Sequence, residues 1–549
     1  MGLPRNILEA SERVLDYHRQ TRLDQSETFS ESNLAARPPE FHLFDYADKV
    51  SLSNRLLDAP TPLLMLMEQG LEAVPESLHL PPQNLQTLSS WLYLAAGPRG
   101  RVSIPGGTAL QRTLAGNDGL LAVEVYVAVF SVQGIDPGFY HYSFAEHALR
   151  RLRDGEETLY LLRRGRPDLQ FLGTVPAAVL VSTVFCRTSW LNGRRGYRQA
   201  ILQAGQMTEA LHLVAMGLGM RTVTRLRMTE SSMRELLGLP LDVEYAHAES
   251  VQSMVVWADG ATVLPQISSP KPPITVSPLP RPACEGVVAY GSILTLHEDI
   301  TATGVAVREV RPPLTDLTPI PATVPMARLP ITHDSPVPSS SCRGVMSQTP
   351  YRNAFQPRPV SRDLMVRLVR GIFRGGTYFP LKPDGSHTAL VRPFWVMQNI
   401  VGQEPGIWWY DPVIDKWAHL NRGQYKQEIG AFIPNSNEIL VSASAVCVLV
   451  ANLRRLLMEL GPDLYRLANL EAGIVGQRLA LAVASVGLGC RVFDRFHDDA
   501  WKSFLGLGGT GWEPLLVCAL GGSQQMPYSA GERPSTKAVA YSGELEFRD

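Results

Sequence analysis

With 549 residues, 45% of them hydrophobic and 19% charged, the chain has the composition of a folded protein with a large core, enough for several domains. A formal net charge of -1 supplies none of the basic bias that nucleic acid or an anionic membrane surface requires. The N-terminus lacks a signal-peptide core, no apolar run reaches the roughly 18 residues of a membrane span, and six cysteines fall at no paired spacing. The expectation is a cytoplasmic protein without a zinc site or disulfide framework.

Residues 1–59 read as an N-terminal arm, helical from Leu8 to Arg19. Pro62 to Leu71 is predicted helical, with Thr61 placed as its cap and proline tolerated in the first turn. A second helix carries Leu85, Leu88, Leu92 and Ala95 before Gly97-Pro98 stops it. Leu120 to Phe130 alternates like a strand, Gly134 to Gly138 turns on its Asp-Pro-Gly, and Phe139 to Tyr142 returns. A helix near Gly155 to Arg163 precedes the strand Ala177 to Phe185, a long apolar helix from Tyr197 to Gly219, and a closing strand at Val251 to Trp257. Fifteen prolines between Leu264 and Ser341 exclude a continuous helix there and define a Pro-rich linker over 261–349, with one strand-like island from Val287 to Val307. The polar tail 523–549 reads as disordered.

The landmarks of residues 60–260 recur in residues 350–522. Tyr197-Arg198 and Ala204-Gly205 reappear as Tyr465-Arg466 and Ala472-Gly473 at an offset of 268. The same offset carries Gly134-Ile-Asp-Pro-Gly138 to Gly402-Gln-Glu-Pro-Gly406 and Ala178 to Val181 onto Val446 to Leu449. Gly217-Leu-Gly219 and Gly487-Leu-Gly489 close the two long helices. A repeat this long means two homologous domains, which usually pack as the protomers of a homodimer would.

The ordered set Gly134 to Tyr142, Asn192-Gly-Arg-Arg-Gly-Tyr-Arg198, Ala204-Gly205 and Gly217-Leu-Gly219 resembles the flavin-dependent nitroreductase superfamily. Within it, the chain looks most like the dehydrogenases that oxidise thiazolines and oxazolines in ribosomal peptides, including tandem forms from thiopeptide pathways. The resemblance implies an α+β fold, with two domains of mixed sheet and long helices packed as a fused pseudo-dimer; a further homodimer is left open. It also implies FMN between the two halves, a peptide substrate and a cyclodehydratase partner. The phosphate loop of that family corresponds to Ala115-Gly116-Asn117-Asp118-Gly119, which has lost proline and serine, and its arginine segment to Tyr351-Arg352-Asn353. Gly116, Asn117, Gly119, Arg352 and Asn353 are therefore the expected phosphate ligands in one composite site, since Gly-rich backbone and a cation suit a phosphate dianion. Gly489, Arg491, Asp494 and Arg495 are expected along the flavin's ring or ribityl edge.

The family's usual Lys-Tyr base pair falls on Leu191-Asn192 and Glu459-Leu460. Glu459, Tyr197 and His141 are the replacement bases to test, with an i,i+4 ion pair to Arg455 as the alternative for Glu459. Arg195 and Arg198 open a helix, where cations oppose the dipole, so phosphate, a substrate carboxylate or a buried Asp must answer them. Two other functions remain open: a flavin-free subunit that binds or scaffolds the peptide, and a general nitro- or quinone-reductase.

Overall fold

The computed structural model describes residues 3–23, 37–104, 107–115, 120–164, 167–239, 249–259, 290–301, 318–332, 337–348, 355–356, 358–374, 389–434 and 437–523. Gly116, Asn117, Gly119, Arg352 and Asn353, with the tail 524–549, lie outside them. The elements used below are α1 (Arg5–Gln20), β1 (Lys49–Ser51), β2 (Val123–Val129), β3 (Gly138–Ser143), β4 (Ala148–Asp154), β5 (Ala177–Val184), α2 (Gly196–Gly217), β6 (Thr222–Arg225), β7 (Glu249–Trp257) and α3 (Gly291–Thr301). The second half supplies β8 (Val391–Met397), β9 (Gly406–Asp411), β10 (Lys416–Arg422), β11 (Ala445–Asn452), α4 (Asp463–Ser485), β12 (Leu488–Phe493) and β13 (Trp512–Gly522).

The first sheet runs β1-β4-β3-β2-β5-β7-β6 and the second β10-β9-β8-β11-β13-β12. Removing β1, which pairs with β4, leaves the same order strand for strand. The duplication legible in the residues is thus a duplication of topology. Both sheets were expected to be mixed, but every described pair within them is antiparallel. Consecutive strands joined by tight turns, as at Gly134 to Gly138, must run antiparallel; a parallel pair needs a long crossover.

Alternation in β2 sorts its side chains between two cores. Val123, Val125, Val127 and Val129 join the large central cluster with both long helices, whereas Tyr126 and Ala128 join a smaller cluster with Leu159, Leu162 and Leu236 on the other face. The fused pseudo-dimer is held where α2 crosses α4. At Gly205 an added Cβ would lie 2.0 Å from the Leu470 carbonyl oxygen, and at Gly473 2.1 Å from that of Leu202. The duplicated glycines exist because two backbones touch there.

Left-handed turns end both long helices, but at Gly219 (φ 78°) and Gly487 (φ 76°). These sit 268 apart, so the glycine that matters is the last of one Gly-x-Gly and the first of the other; Gly489 is already in β12, opposite Gly521.

Three local expectations are corrected. The described part of the strand-like island is the helix α3, because Ile293, Leu296 and Ile300 fall at helical spacing and are buried. Thr61 does not cap the helix Leu63–Gln69: its buried hydroxyl has no hydrogen-bond partner, and the Leu63 N–H donates to the Ser340 carbonyl at 2.9 Å. Cys186 is disulfide-bonded, which its spacing did not suggest, while Cys342, Cys447, Cys490 and Cys518 are free and buried. Among the described residues no helix is long and apolar enough to cross a membrane.

Candidate functional site

The foot of the candidate phosphate loop is fastened across the pseudo-dimer. Ala115 of the first half donates its N–H to the Gln477 side-chain oxygen on α4 at 2.9 Å, and the Gln477 amide donates to the Thr113 carbonyl at 2.5 Å. Three residues before Ala115, Arg112 is 1% exposed and donates through Nη1 to the Val123 carbonyl at 3.1 Å. Its Nε and Nη2 have no hydrogen-bond partner. A buried cation with spare donors, three residues before the anchored Ala115, is what an anionic group requires, so Arg112, whose guanidinium also lies 3.6 Å from the Phe144 ring centroid, fits a bound phosphate. Burial lowers the Arg112 pKa to about 10, which still leaves it charged near neutrality.

Duplicated helix positions make equivalent contacts with different chemistry. Gln203 on α2 accepts from the Ala122 N–H at 2.7 Å; its counterpart Glu471 on α4 accepts from the Leu390 N–H at 2.9 and 3.0 Å. Burial pushes the Glu471 carboxyl up to about 7.

Beside the turn Gly193–Arg195, Asp494 and Arg495, expected near the flavin, gather with Asn192, one of the usual base positions. Arg495 donates to the Asn192 side-chain oxygen at 2.7 Å, Asn192 donates to Gln199, and Gln199 donates to the Asp494 carboxylate at 2.6 Å. The Asp494 carbonyl accepts from Arg195 at 3.1 Å. Arg491 is buried on β12, its guanidinium 5.5 Å from the Phe493 ring centroid, and Gly489 lies on the same strand. Gly489, Arg491, Asp494 and Arg495 thus share one stretch, and across the halves Arg495 meets Asn192 while Asp494 meets Gln199 and Arg195.

The anion demanded by the helix-opening arginines is a buried aspartate. Asp498, fully buried, receives Arg195 at 2.6 Å and Arg198 at 3.0 Å. Burial alone would raise its pKa, but the two guanidiniums hold it at about 2. The cations at the start of α2 were the sequence signal; nothing in the spacing pointed to Asp498, which comes from the other half of the chain.

Tyr197 is buried, its hydroxyl 3.2 Å from His297 Nδ1 on α3, and His297 Nε2 lies 3.3 Å from Glu230. Its counterpart Tyr465 lies 3.1 Å from His18 Nδ1 on α1, and His18 Nε2 is 3.7 Å from Glu513. Both histidines stand outside the duplicated segments, so the repeat could not reveal them. His141 is buried in a separate network inside the first half. Its Nε2 is 3.0 Å from Glu124, whose other oxygen faces Arg187 at 2.6 Å, and burial lowers the His141 pKa despite that carboxylate.

Glu459 takes the alternative left open for it. Its side chain is 52% exposed and pairs with Arg455 one helical turn earlier at 3.0 Å. Glu459→Gln is expected to change unfolding free energy by less than about 0.5 kcal/mol, the usual worth of an exposed i,i+4 pair, as read by urea denaturation. Tyr197, His141 and Glu459 are therefore at three separate places.

Residues 119–251 match the Nitroreductase family. A protein of Methanocaldococcus jannaschii, named only as a candidate nitroreductase, is 28% identical over 159 residues, covering 28% of this chain and 75% of that protein. A solved structure from Anabaena variabilis, likewise titled as a candidate nitroreductase, superposes at a TM-score of 0.68 with 20% identity, over 93% of this chain and 99% of that one. At this identity the likeness shows the fold, and shows it for the tandem as a whole. The E. coli microcin synthetase McbBCD complex, solved with truncated pro-MccB17 bound, aligns over 45% of this chain and 92% of that chain at 17% identity and a TM-score of 0.27, which carries no argument.

Proposed function

We propose that this chain, which carries a nitroreductase family domain within a fold present twice, is an FMN-dependent dehydrogenase that oxidises thiazoline or oxazoline rings in a ribosomally made peptide. It would work as two domains, 60–260 and 350–522, joined by 261–349, in the cytoplasm beside a cyclodehydratase that makes the rings. The observation that carries the flavoprotein reading is the loop foot at Thr113 and Ala115, tied to Gln477 of the opposite half beside the spare donors of Arg112. Arg112 would join Gly116, Asn117, Gly119, Arg352 and Asn353 in holding the phosphate, with Gly489, Arg491, Asp494 and Arg495 along the rest of the cofactor. Bound FMN would supply a hydride acceptor, which azoline-to-azole oxidation needs together with a base.

For that base, Tyr197 has the most support. Burial raises the Tyr197 pKa far above its usual 10, so the phenol acts only as a relay, passing its own proton to an imidazole 3.2 Å away, itself 3.3 Å from a carboxylate, as it takes one. Tyr197→Phe should lower azoline-peptide turnover by about 10² to 10⁴-fold, while His141→Gln and Glu459→Gln leave it near wild type. The azoline assignment rests on the sequence resemblance, and the cheapest test is incubation with an azoline peptide in air.

The cofactor is tested directly. Purified protein should be yellow, with about one FMN per chain for a single composite site, and Arg352→Ala should weaken FMN binding by roughly 1.5 to 3 kcal/mol, the worth of a charge-assisted hydrogen bond. The second reading, a flavin-free peptide-binding scaffold, draws its support from the junction cations: Arg195 and Arg198 are answered by Asp498, and Arg495 meets Asn192. A colourless protein that does not take up added FMN would establish that reading instead.

A further inference from the structure

Helix α1 stands outside both duplicated halves, yet it grips the turn beside the candidate site. Tyr17 donates to the Arg194 carbonyl, Gln20 accepts from Arg194 at 2.6 Å, and the Thr21 carbonyl accepts from Arg195 at 2.9 Å. Arg194 and Arg195 follow Asn192 directly, and Asn192 is the residue that meets Arg495 and Gln199. Holding α1 in place therefore holds that turn. Further along, Ser11 donates to the Leu457 carbonyl at 2.8 Å, and Arg13 pairs with Asp299 on α3 through bonds of 2.8 and 2.5 Å. One helix thus bridges both halves and the linker.

The only ionisable side chain that α1 buries beside Tyr17 is His18, 1% exposed. It faces Tyr465 from α4, Arg198 from α2, Glu513 from β13 and Asp498 from the helix Asp498–Phe504. Those carboxylates are already engaged: Glu513 receives Arg22 at 2.6 Å and Lys502 at 2.7 Å, and Arg195 and Arg198 occupy Asp498. A proton on the imidazole would add a buried charge where each anion is already matched.

We infer that α1 is an acid-released clasp on the candidate site, with His18 as its proton-sensitive contact. The site it controls rests on the reading given above, but the clasp does not require flavin. Burial first, and Arg198 second, lower the His18 pKa from 6.5 to about 4. The docked helix holds the neutral imidazole, so docking is unimpaired above pH 6.5 and is lost progressively as the pH falls toward 4. Between pH 8 and pH 5 the closed-to-open ratio should drop by about 30-fold, the value those two pKa figures give through proton linkage.

Hydrogen–deuterium exchange of the full chain, corrected for intrinsic rates, tests this at pH 7.5 and pH 5. In the wild type, α1 and residues 191–199 should both lose protection at pH 5. His18→Gln, which keeps a hydrogen-bonding group and cannot take the proton, should retain its pH 7.5 protection at pH 5; His18→Asn serves if the first variant folds poorly. Equal acid opening in wild type and variant would overturn the role of His18. Opening of α1 without change in 191–199 would overturn the coupling to the site. Should neither variant fold, the wild type alone decides: corrected exchange of α1 that is flat from pH 7.5 to 4.5 would overturn the proposal, and a rise following uptake of one proton would support it. Absence of FMN from the protein alters none of these outcomes.

Discussion

Gly205→Ala should destabilise the protein by about 3 kcal/mol or more, above the usual range for an overpacked core, because the new methyl meets backbone and no rotamer change can relieve it. The Leu470 carbonyl oxygen would be 2.0 Å from the added carbon and the Ile474 nitrogen 2.9 Å. Gly473→Ala faces the same difficulty against Leu202, at 2.1 Å from its carbonyl oxygen and 2.9 Å from its carbonyl carbon. Urea denaturation of the single and double variants provides the check. The double variant should lose less than the two singles added together, since helices spread by the first methyl leave more room for the second. Gly291→Ala is the control: nothing lies within 4 Å of its added carbon, and no comparable loss should follow.

Asp498→Asn has the next largest expected effect. It leaves the guanidiniums of Arg195 and Arg198, 5% and 2% exposed, without their carboxylate, and breaking a buried pair from one side typically costs about 3 to 5 kcal/mol. The Leu23 N–H, which donates to the same carboxylate at 3.1 Å, keeps an oxygen to bond in the amide, so the loss should come from the charge. The same group predicts an acid limb. With its pKa lowered from 3.8 to about 2, the stability contributed by Asp498 is complete above 3.8 and is lost as the pH falls through about 2. Thermal unfolding followed between pH 5 and pH 2 should show that limb in the wild type and a weaker one in the variant.

What the residues disclosed, they disclosed by repetition and by unmet chemical need. Tyr197 and Tyr465, Gly205 and Gly473, and the paired apolar strands stand at one offset, and two sheets of equal order follow from them. Arg195 and Arg198 at a helix start required an anion, and the requirement was real, though its partner lies some 300 residues away. Contacts made by unrepeated segments carried no such signal. His18 and His297 read as ordinary helix and linker residues until folding set each against a duplicated tyrosine. In α3 the helical spacing of Ile293, Leu296 and Ile300 is short and set among prolines, so it competes poorly with a strand pattern. Glu459 could be ranked only by exposure, which depends on where its short helix is docked.

Tyr17 lies 6.3 Å from both Tyr197 and Tyr465, ring edge against ring face in each case. A side chain equidistant from two equivalent partners occupies a place that a dimer of identical subunits cannot fill in this manner, since each subunit would send its own copy into the same volume. Joining the halves in one polypeptide removes that conflict and lets a single wedge choose sides: the Tyr17 hydroxyl bonds the Arg194 carbonyl of the first half, and the neighbouring His18 bonds Tyr465 of the second. Covalent fusion here is therefore more than a tether that raises local concentration. It allows an unpaired element at the centre of symmetry, from which the two once-equal halves can be driven toward different tasks.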